Sequence, residues 1–235
     1  MLLLFLLFLV SCAQSTTSQK GQVSTSTAQA KRSMQITYVA IGDSATFGIG
    51  TRDPYSDNWP TDLLYMLGAD HVHLINLGIP GIVIHDALNL ELPIAIDAHP
   101  NLVTGWLGVN DIVANVPVSS YARDLDMLVH SLRAAAPHAR IAIANIPDLT
   151  LLPHFGKHDP QKLHQQIQDY NAAISSVVQR YDAILVALSQ QNYNLQVHPE
   201  YISRDGLHPS YLGYSQLAKL FYATLQAAQK QAQHP

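Results

Sequence analysis

Residues 36–44 read ITYVAIGDS, an apolar run of six residues followed by glycine, aspartate and serine. Near-continuous hydrophobicity of this length predicts a β-strand that is covered on both faces. Ser44 therefore lies directly after the carboxyl end of a predicted strand, at the start of a helix or loop. In parallel α/β sheets, ligands bind at this end of the strands. The stretch thus predicts a central buried strand and makes Ser44 a candidate functional residue.

Four further apolar runs follow along the chain, at residues 72–77, 102–107, 141–146 and 183–188. Helical patterns separate or follow them. The clearest helical face repeats at steps of three and four residues: Leu163, Ile167, Tyr170, Ile174, Val177 and Tyr181. Strand and helix therefore alternate, which is typical of an α/β fold with a parallel sheet and helices on both faces. Nothing in the pattern indicates a second domain.

Composition limits the classes of partner. The chain has 235 residues, of which 48% are hydrophobic and 13% charged, enough to bury the core of one domain. The formal net charge is -4 and the 13 Lys and Arg residues are scattered, so we expect no nucleic-acid partner. The single cysteine, Cys12, excludes an intramolecular disulfide and a zinc site built on several thiolates. We expect a monomer.

The amino-terminal segment indicates export. Residues 1–10 are almost wholly apolar but cover only about half the roughly 20 residues that span a bilayer. Residues 9–12, LVSC, resemble a bacterial lipobox, which implies cleavage before Cys12 and attachment of lipid to its sulfur. We therefore predict a signal peptide at 1–11, a disordered tether at 12–33 and a folded domain at 34–235, in a membrane-anchored protein outside the cytoplasm. The alternative is a secreted protein with an incidental cysteine.

A serine hydroxyl becomes a good nucleophile only when a neighbouring base removes its proton. His208 is the best candidate for that base, because Asp205-Gly206-Leu207-His208 places a carboxylate three residues before the imidazole in a predicted turn. The carboxylate would fix the imidazole tautomer while the other ring nitrogen faces the serine. Asp148 or Asp182 could orient His208 instead.

Two more strand ends offer donors for an oxyanion. Gly78 follows the second apolar run and could give its backbone N–H, and Asn110 follows the third and could give its side-chain amide. The loop at 149–160 is unusually apolar for a connection on this edge, so recognition of an acyl group and ordinary packing are equally consistent with it.

These blocks, in this order, resemble the four motifs of the SGNH or GDSL-type serine hydrolases: residues 42–44 (GDS), Gly78, residues 108–111 (GVND) and residues 205–208 (DGLH). Each motif alone is weak, whereas four in order, spread over residues 36–230, are specific. The resemblance implies a three-layer, flavodoxin-like α/β/α fold with a five-stranded, mostly parallel sheet. It also implies esterase, lipase or acetyl-hydrolase activity without metal or cofactor, and an oxyanion hole from the Ser44 N–H, the Gly78 N–H and Asn110. Ala45 departs from the family, where many members carry leucine.

The sequence therefore predicts a serine esterase that works through an acyl-enzyme, with Ser44 as nucleophile and His208, oriented by Asp205, as base. The expected substrate is a small-molecule, glycan or lipid ester. Two alternatives stay open: transfer of the acyl group to a sugar or lipid hydroxyl, and a non-catalytic, tethered glycan-binding protein.

Overall fold

The computed structural model describes residues 35–188 and 193–233. The predicted signal peptide, Cys12 and the predicted tether lie outside these residues. The residues that are described belong to one compact unit, Ser33–Pro235. Among them, no helix combines the length and the apolar character that crossing a membrane requires.

The five apolar runs form five strands of one parallel sheet. The strands are β1 (Ile36–Gly42), β2 (Val72–Asn76), β3 (Leu102–Trp106), β4 (Arg140–Ala144) and β5 (Ile184–Val186). Their order across the sheet is β2-β1-β3-β4-β5, and every neighbouring pair is parallel. The predicted α/β class with a parallel five-stranded sheet is confirmed.

Helices connect the strands. In chain order they are α1 (Ser44–Phe47), α2 (Trp59–Leu67), α3 (Ile84–Leu90), α4 (Leu92–Asp97), α5 (Val109–Val113), α6 (Val118–Ala135), α7 (Pro160–Arg180) and α8 (Tyr211–Gln233). Short 3₁₀ helices lie at Leu149–Leu151, Pro153–Phe155 and Pro199–Tyr201. Helix α2 packs on α8, whereas α6 packs on α7 and α3, as right-handed crossovers from this strand order require. The sheet therefore lies between two helical layers.

Aromatic pairs join the helices within each layer. Trp59 of α2 stacks on Phe221 of α8 with ring centroids 4.3 Å apart, and Tyr121 of α6 contacts Tyr170 of α7 at 4.5 Å. The face predicted for α7 is buried from Leu163 to Val177, and the Asp159 side chain caps the helix by accepting from the Gln161 N–H at 3.0 Å. Periodic apolar spacing and a capping carboxylate thus define this helix.

Coverage of both faces holds for the central strands but not at the edges. Strands β1, β3 and β4 are almost wholly buried, while β2 and β5 are partly exposed. An edge strand has a neighbour on one side only, so its side chains are less enclosed. The apolar sequence of β2 does not reveal this position.

The strand order also places the site. Strand β1 has β2 on one side and β3 on the other. The order of strand addition therefore reverses at β1: β2 is added on one side of it, and the later strands are added on the other side. The crevice at such a reversal, outside the carboxyl ends of the strands, is where open α/β sheets bind ligands. The residue after the end of β1 is Asp43, and Ser44 follows it.

Candidate active site

Ser44 is the first residue of α1. The preceding residue, Asp43, is buried and caps the helix, its Oδ1 accepting from the Ala45 N–H at 2.9 Å. The cap fixes the turn between β1 and α1, and Ser44 itself stays partly exposed. The serine hydroxyl is therefore held at the carboxyl end of the central strand and can be reached from solvent.

His208 approaches Ser44 from the other end of the chain. Its Nε2 lies 2.8 Å from the Ser44 Oγ, within hydrogen-bond distance. The backbone on either side of the histidine is fixed by an antiparallel bridge between Ile202 and Pro209 and by the Ser203 N–H, which donates to the His208 carbonyl at 2.8 Å. The turn thus presents the imidazole to the serine just before α8 begins.

Asp205 binds the other side of the same imidazole. Its Oδ2 lies 2.8 Å from His208 Nδ1, and its Oδ1 accepts from the backbone N–H groups of Leu207 at 2.8 Å and His208 at 2.9 Å. Partial burial raises the pKa of this carboxyl, but the hydrogen bonds outweigh it and hold the pKa well below its usual range. Asp205 is therefore a carboxylate whose two oxygens are both engaged, one by the ring and one by the turn.

The two alternative carboxylates have other surroundings. Asp148 caps the 3₁₀ helix at Leu149–Leu151, accepting from the Thr150 N–H at 3.0 Å and from its hydroxyl at 2.6 Å. Asp182 lies in the turn after α7 with a positive φ of 48°, and its carbonyl accepts from Arg133. The geometry brings Ser44, His208 and Asp205 together and leaves these two outside the chain of contacts.

Asn110 and Gly78 differ in what their donors contact. Asn110 begins α5 together with Val109, lines the same cavity as Ser44 and His208, and donates one amide hydrogen to the Ile82 carbonyl at 2.9 Å. An amide has a second hydrogen. The Gly78 N–H, by contrast, donates to Asn76 Oδ1 at 3.0 Å within its own turn, and a side chain at Gly78 would lie 2.5 Å from the Phe47 nitrogen. Gly78 is thus required for close packing against α1.

Gly81 is a neighbouring residue that the sequence reasoning missed. Its φ is +83°, and a side chain there would meet open space. It directly precedes Ile82, whose carbonyl accepts from Asn110. Within residues 35–188 and 193–233, no acceptor is found for the Gly81 N–H. The spacing of two glycines in residues 78–81, GIPG, is the signal that could have drawn attention to it.

Three carboxyl groups are buried beneath the nucleophile. Burial raises the pKa of Asp43 to about 6, that of Asp111 to about 6 and that of Glu91 to about 8. Asp111 accepts from the Ile84 N–H through both oxygens at 3.2 Å, and Glu91 Oε1 accepts from the Gly42 N–H at 3.0 Å. Each carboxyl therefore holds a backbone segment that borders the site.

Sequence reasoning missed Glu91. The residue has no exposed surface, and its Oε2 has no hydrogen-bond partner among the described residues. The available signal was a single charged residue within the apolar stretch LELPIAI at residues 90–96. A glutamate on a helix is usually solvated, so its burial against the end of β1 could be seen only in the folded chain.

A small cavity of about 50 Å³ opens beside Ser44. Apart from the groups already described, most of its walls are apolar, including Trp106, Val109, Leu149, Leu152, Tyr193 and Leu195. The apolar loop at 149–160 thus contributes two leucines to the cavity, while Phe155 is buried elsewhere in the core. Within the described ranges, no group of three or more His, Cys, Asp or Glu side chains could hold a metal ion.

Comparison with known proteins gives one family match. The family model described as GDSL-like lipase/acylhydrolase matches residues 40–216 of this sequence. No protein of curated function matches it. The match begins within β1 and ends within α8, so it includes the serine and the histidine that meet in the site.

Solved structures resemble this fold at low sequence identity. A protein described as a GDSL-like lipase from Parabacteroides merdae is 17% identical with a TM-score of 0.69, covering 82% of this chain and 96% of that chain. A lipase/acylhydrolase from Enterococcus faecalis is 21% identical, with a TM-score of 0.67 and coverage of 83% and 97%. The esterase EstA from Pseudoalteromonas sp., inhibited by monoethylphosphonate, is 20% identical, with a TM-score of 0.66 and coverage of 83% and 98%. At these identities the likeness shows the fold.

Proposed function

Because the chain belongs to the GDSL-like lipase/acylhydrolase family and is therefore an ester-hydrolysing enzyme, we propose that it cleaves carboxylic esters through an acyl-enzyme on Ser44. The observation that carries this proposal is the continuous chain of two contacts, each of 2.8 Å, from Ser44 Oγ through the His208 ring to Asp205. Nucleophile, base and orienting carboxylate in this geometry are what acyl transfer by a serine requires.

In the first half of the cycle, His208 Nε2 takes the proton of the Ser44 hydroxyl while Oγ attacks the ester carbonyl carbon. Asp205 stabilises the imidazolium that forms. The tetrahedral intermediate then collapses, the bond from carbon to the alkoxy oxygen breaks, and the alcohol leaves with the proton from His208. In the second half, water attacks the acyl-enzyme, gives a proton to His208, and the acid leaves as that proton returns to Ser44 Oγ.

The developing oxyanion needs donors. We assign the Ser44 N–H, which lies in the first turn of α1 where N–H groups have no intrahelical acceptor, and the second amide hydrogen of Asn110. The expected third donor was Gly78, whose N–H is engaged by Asn76. The unengaged Gly81 N–H, next to the residue that binds Asn110, is the better candidate for this third position.

The test is covalent labelling together with kinetics. A fluorophosphonate probe should add to Ser44, identified by peptide mass, and the Ser44→Ala variant should not be labelled. Ser44→Ala and His208→Ala should each lose roughly three or more orders of magnitude in kcat, and the double variant little more, because the groups act as a unit. Labelling at another residue, or losses that add, would contradict the mechanism.

We also propose that the enzyme is tethered outside the cytoplasm by lipid on Cys12. The support is the lipobox-like sequence at residues 9–12, which lies outside the described residues. The Cys12→Ser variant should move from the membrane fraction to the soluble fraction of fractionated cells. Unchanged membrane association would refute the proposal.

A further inference from the structure

The cavity beside Ser44 is open on one side and lined elsewhere by side chains that are themselves almost fully buried. Leu149, Leu152 and Leu195 are 1%, 6% and 5% exposed, so their remaining surfaces are packed in the core. Tyr193 is stacked on Tyr201, with ring centroids 5.8 Å apart and planes 20° from parallel. Moving these walls apart would lose packing contacts with the core behind them, because protein interiors are close-packed.

The size of the cavity limits what it can hold. An apolar cavity of about 150 Å³ admits benzene, which has six carbon atoms. In proportion, about 50 Å³ admits about two carbon atoms. Since an ester carbonyl attacked by Ser44 would lie at the cavity mouth, these two atoms come in addition to the carbonyl carbon.

The chemistry of the walls indicates which half of the ester enters. A sugar or glycerol alcohol would lose water from its hydroxyls against Leu149, Leu152 and Leu195 without gaining partners, whereas an alkyl chain has no such groups. Ser44 is itself partly exposed, so the alcohol half of the ester can lie outside the cavity. His208 delivers its proton to the departing alcohol, which then leaves toward solvent.

We propose that the cavity binds the acyl chain and restricts the enzyme to short acyl groups, acetyl and propionyl, while the alcohol stays outside the cavity, toward solvent. This inference rests on the proposed esterase function and adds its substrate class. Leu149, Leu152 and Leu195 are then the residues that determine specificity for chain length.

The experiment is a set of 4-nitrophenyl esters from acetate to decanoate, each used below the concentration at which it forms micelles. The methylene added from acetate to propionate enters the cavity and should raise kcat/KM about fourfold. From hexanoate onward, kcat/KM should fall at least about tenfold below the value for propionate, because the chain no longer fits between the packed walls. A parallel set of acetates with different alcohols should show a weaker dependence on the size of the alcohol.

The Leu152→Ala variant should move the optimum two or three carbons toward longer chains, since it removes part of the cavity wall. Leu195→Ala serves the same purpose if Leu152→Ala does not fold. The matched control is Leu132→Ala, a buried leucine near the end of α6, which lies toward the amino edge of the sheet. It should lower stability and leave the chain-length profile unchanged.

The outcomes distinguish failure of the short-chain inference from failure of the proposed esterase function. A profile that is flat, or that peaks at octanoate or longer while Ser44 is still labelled by the phosphonate, overturns the short-chain inference and leaves the esterase proposal standing. If kcat/KM depends strongly on the alcohol and not on the length of the acyl chain, the short-chain inference is also overturned and the esterase proposal still stands. Absence of both hydrolysis and labelling of Ser44 overturns the proposed function itself.

Discussion

Replacing Glu91 by glutamine should remove a large part of the pH dependence of folding stability. Glu91 begins the turn between α3 and α4, is fully buried, and accepts from the Gly42 N–H at 3.0 Å through Oε1. Its Oε2 has no partner in the described part of the chain. A buried carboxyl in this position is stable as the neutral acid and costly as the anion.

The magnitude follows from the two pKa values. Burial raises the pKa of Glu91 from 4.5 to about 8, and the negative charge of Asp43 adds to the rise against the hydrogen bond from Gly42. Below pH 4.5 both folded and unfolded chains are protonated at this residue, so stability is full. Between pH 4.5 and 8 only the unfolded chain ionises, so stability falls as pH rises. The whole difference is about 5 kcal/mol, reduced to about 2 to 5 kcal/mol if the site relaxes around the charge.

The assay is urea unfolding of the wild type, Glu91→Gln and Glu91→Ala at intervals from pH 5 to pH 9. Glu91→Gln is neutral throughout and keeps an acceptor for Gly42, so its stability advantage over the wild type should grow up to pH 8 and then level. Asp43 and Asp111, whose pKa values are also raised to about 6, are present in all three proteins and cancel in the difference. Glu91→Ala should be less stable than Glu91→Gln by about 1 to 3 kcal/mol or more, because the Gly42 N–H is left buried and unpaired.

Parallel stability curves for the wild type and Glu91→Gln from pH 5 to 9 would refute this reasoning. They would mean that Glu91 ionises with the same pKa in the folded and unfolded chains, and hence that burial does not perturb it. Equal stability of the glutamine and alanine variants would show that the hydrogen bond to Gly42 contributes nothing.

The site itself carries the remaining predictions. Asp205→Asn should lower kcat roughly 10³- to 10⁴-fold, because the amide neither fixes the tautomer nor stabilises the imidazolium of His208. Asp53→Asn, which changes a similar exposed turn with bonds to Tyr55 and Ser56, should leave kcat unaltered. Asn110→Ala should lower kcat roughly 10²- to 10³-fold with little change in KM, as expected for a donor that acts on the transition state. Asn101→Ala, which loses a bond to the Thr37 N–H at the amino end of the sheet, should change stability and not kcat, and a matching loss of activity there would contradict a specific role for Asn110.

The sequence was a good guide wherever a local pattern determines the outcome. The five apolar runs became the five strands, and the apolar spacing of α7 predicted its buried face, because burial on two faces or one stripe leaves a direct imprint on side-chain order. Ser44, Asn110, Asp205 and His208 were expected to lie together because each follows a strand or precedes a helix, where parallel topology gathers residues, and the structure does bring them to one edge of the sheet. The spacing of Asp205 and His208 within one turn made their contact foreseeable.

What the sequence did not reveal depends on contacts between distant segments. The Gly78 N–H donates to Asn76 Oδ1, and this hydrogen bond depends on the rotamer of the Asn76 side chain. The burial of Glu91 arises from packing against a strand end 49 residues away, and nothing near it in the sequence requires this. The cavity is lined by side chains from four separate connections, and local sequence patterns carry no information on how these connections come together.

Ser44 and His208 are 164 residues apart in the chain, and the histidine precedes the last helix. A polypeptide still emerging from the ribosome therefore carries Ser44 for most of its synthesis without the histidine that contacts it in the folded chain. Trp59 on α2 stacks on Phe221 of α8, the helix that directly follows the turn bearing His208. If the proposed roles hold, a chain truncated before the last helix lacks the contact that the proposed mechanism needs, and we expect it to be inactive.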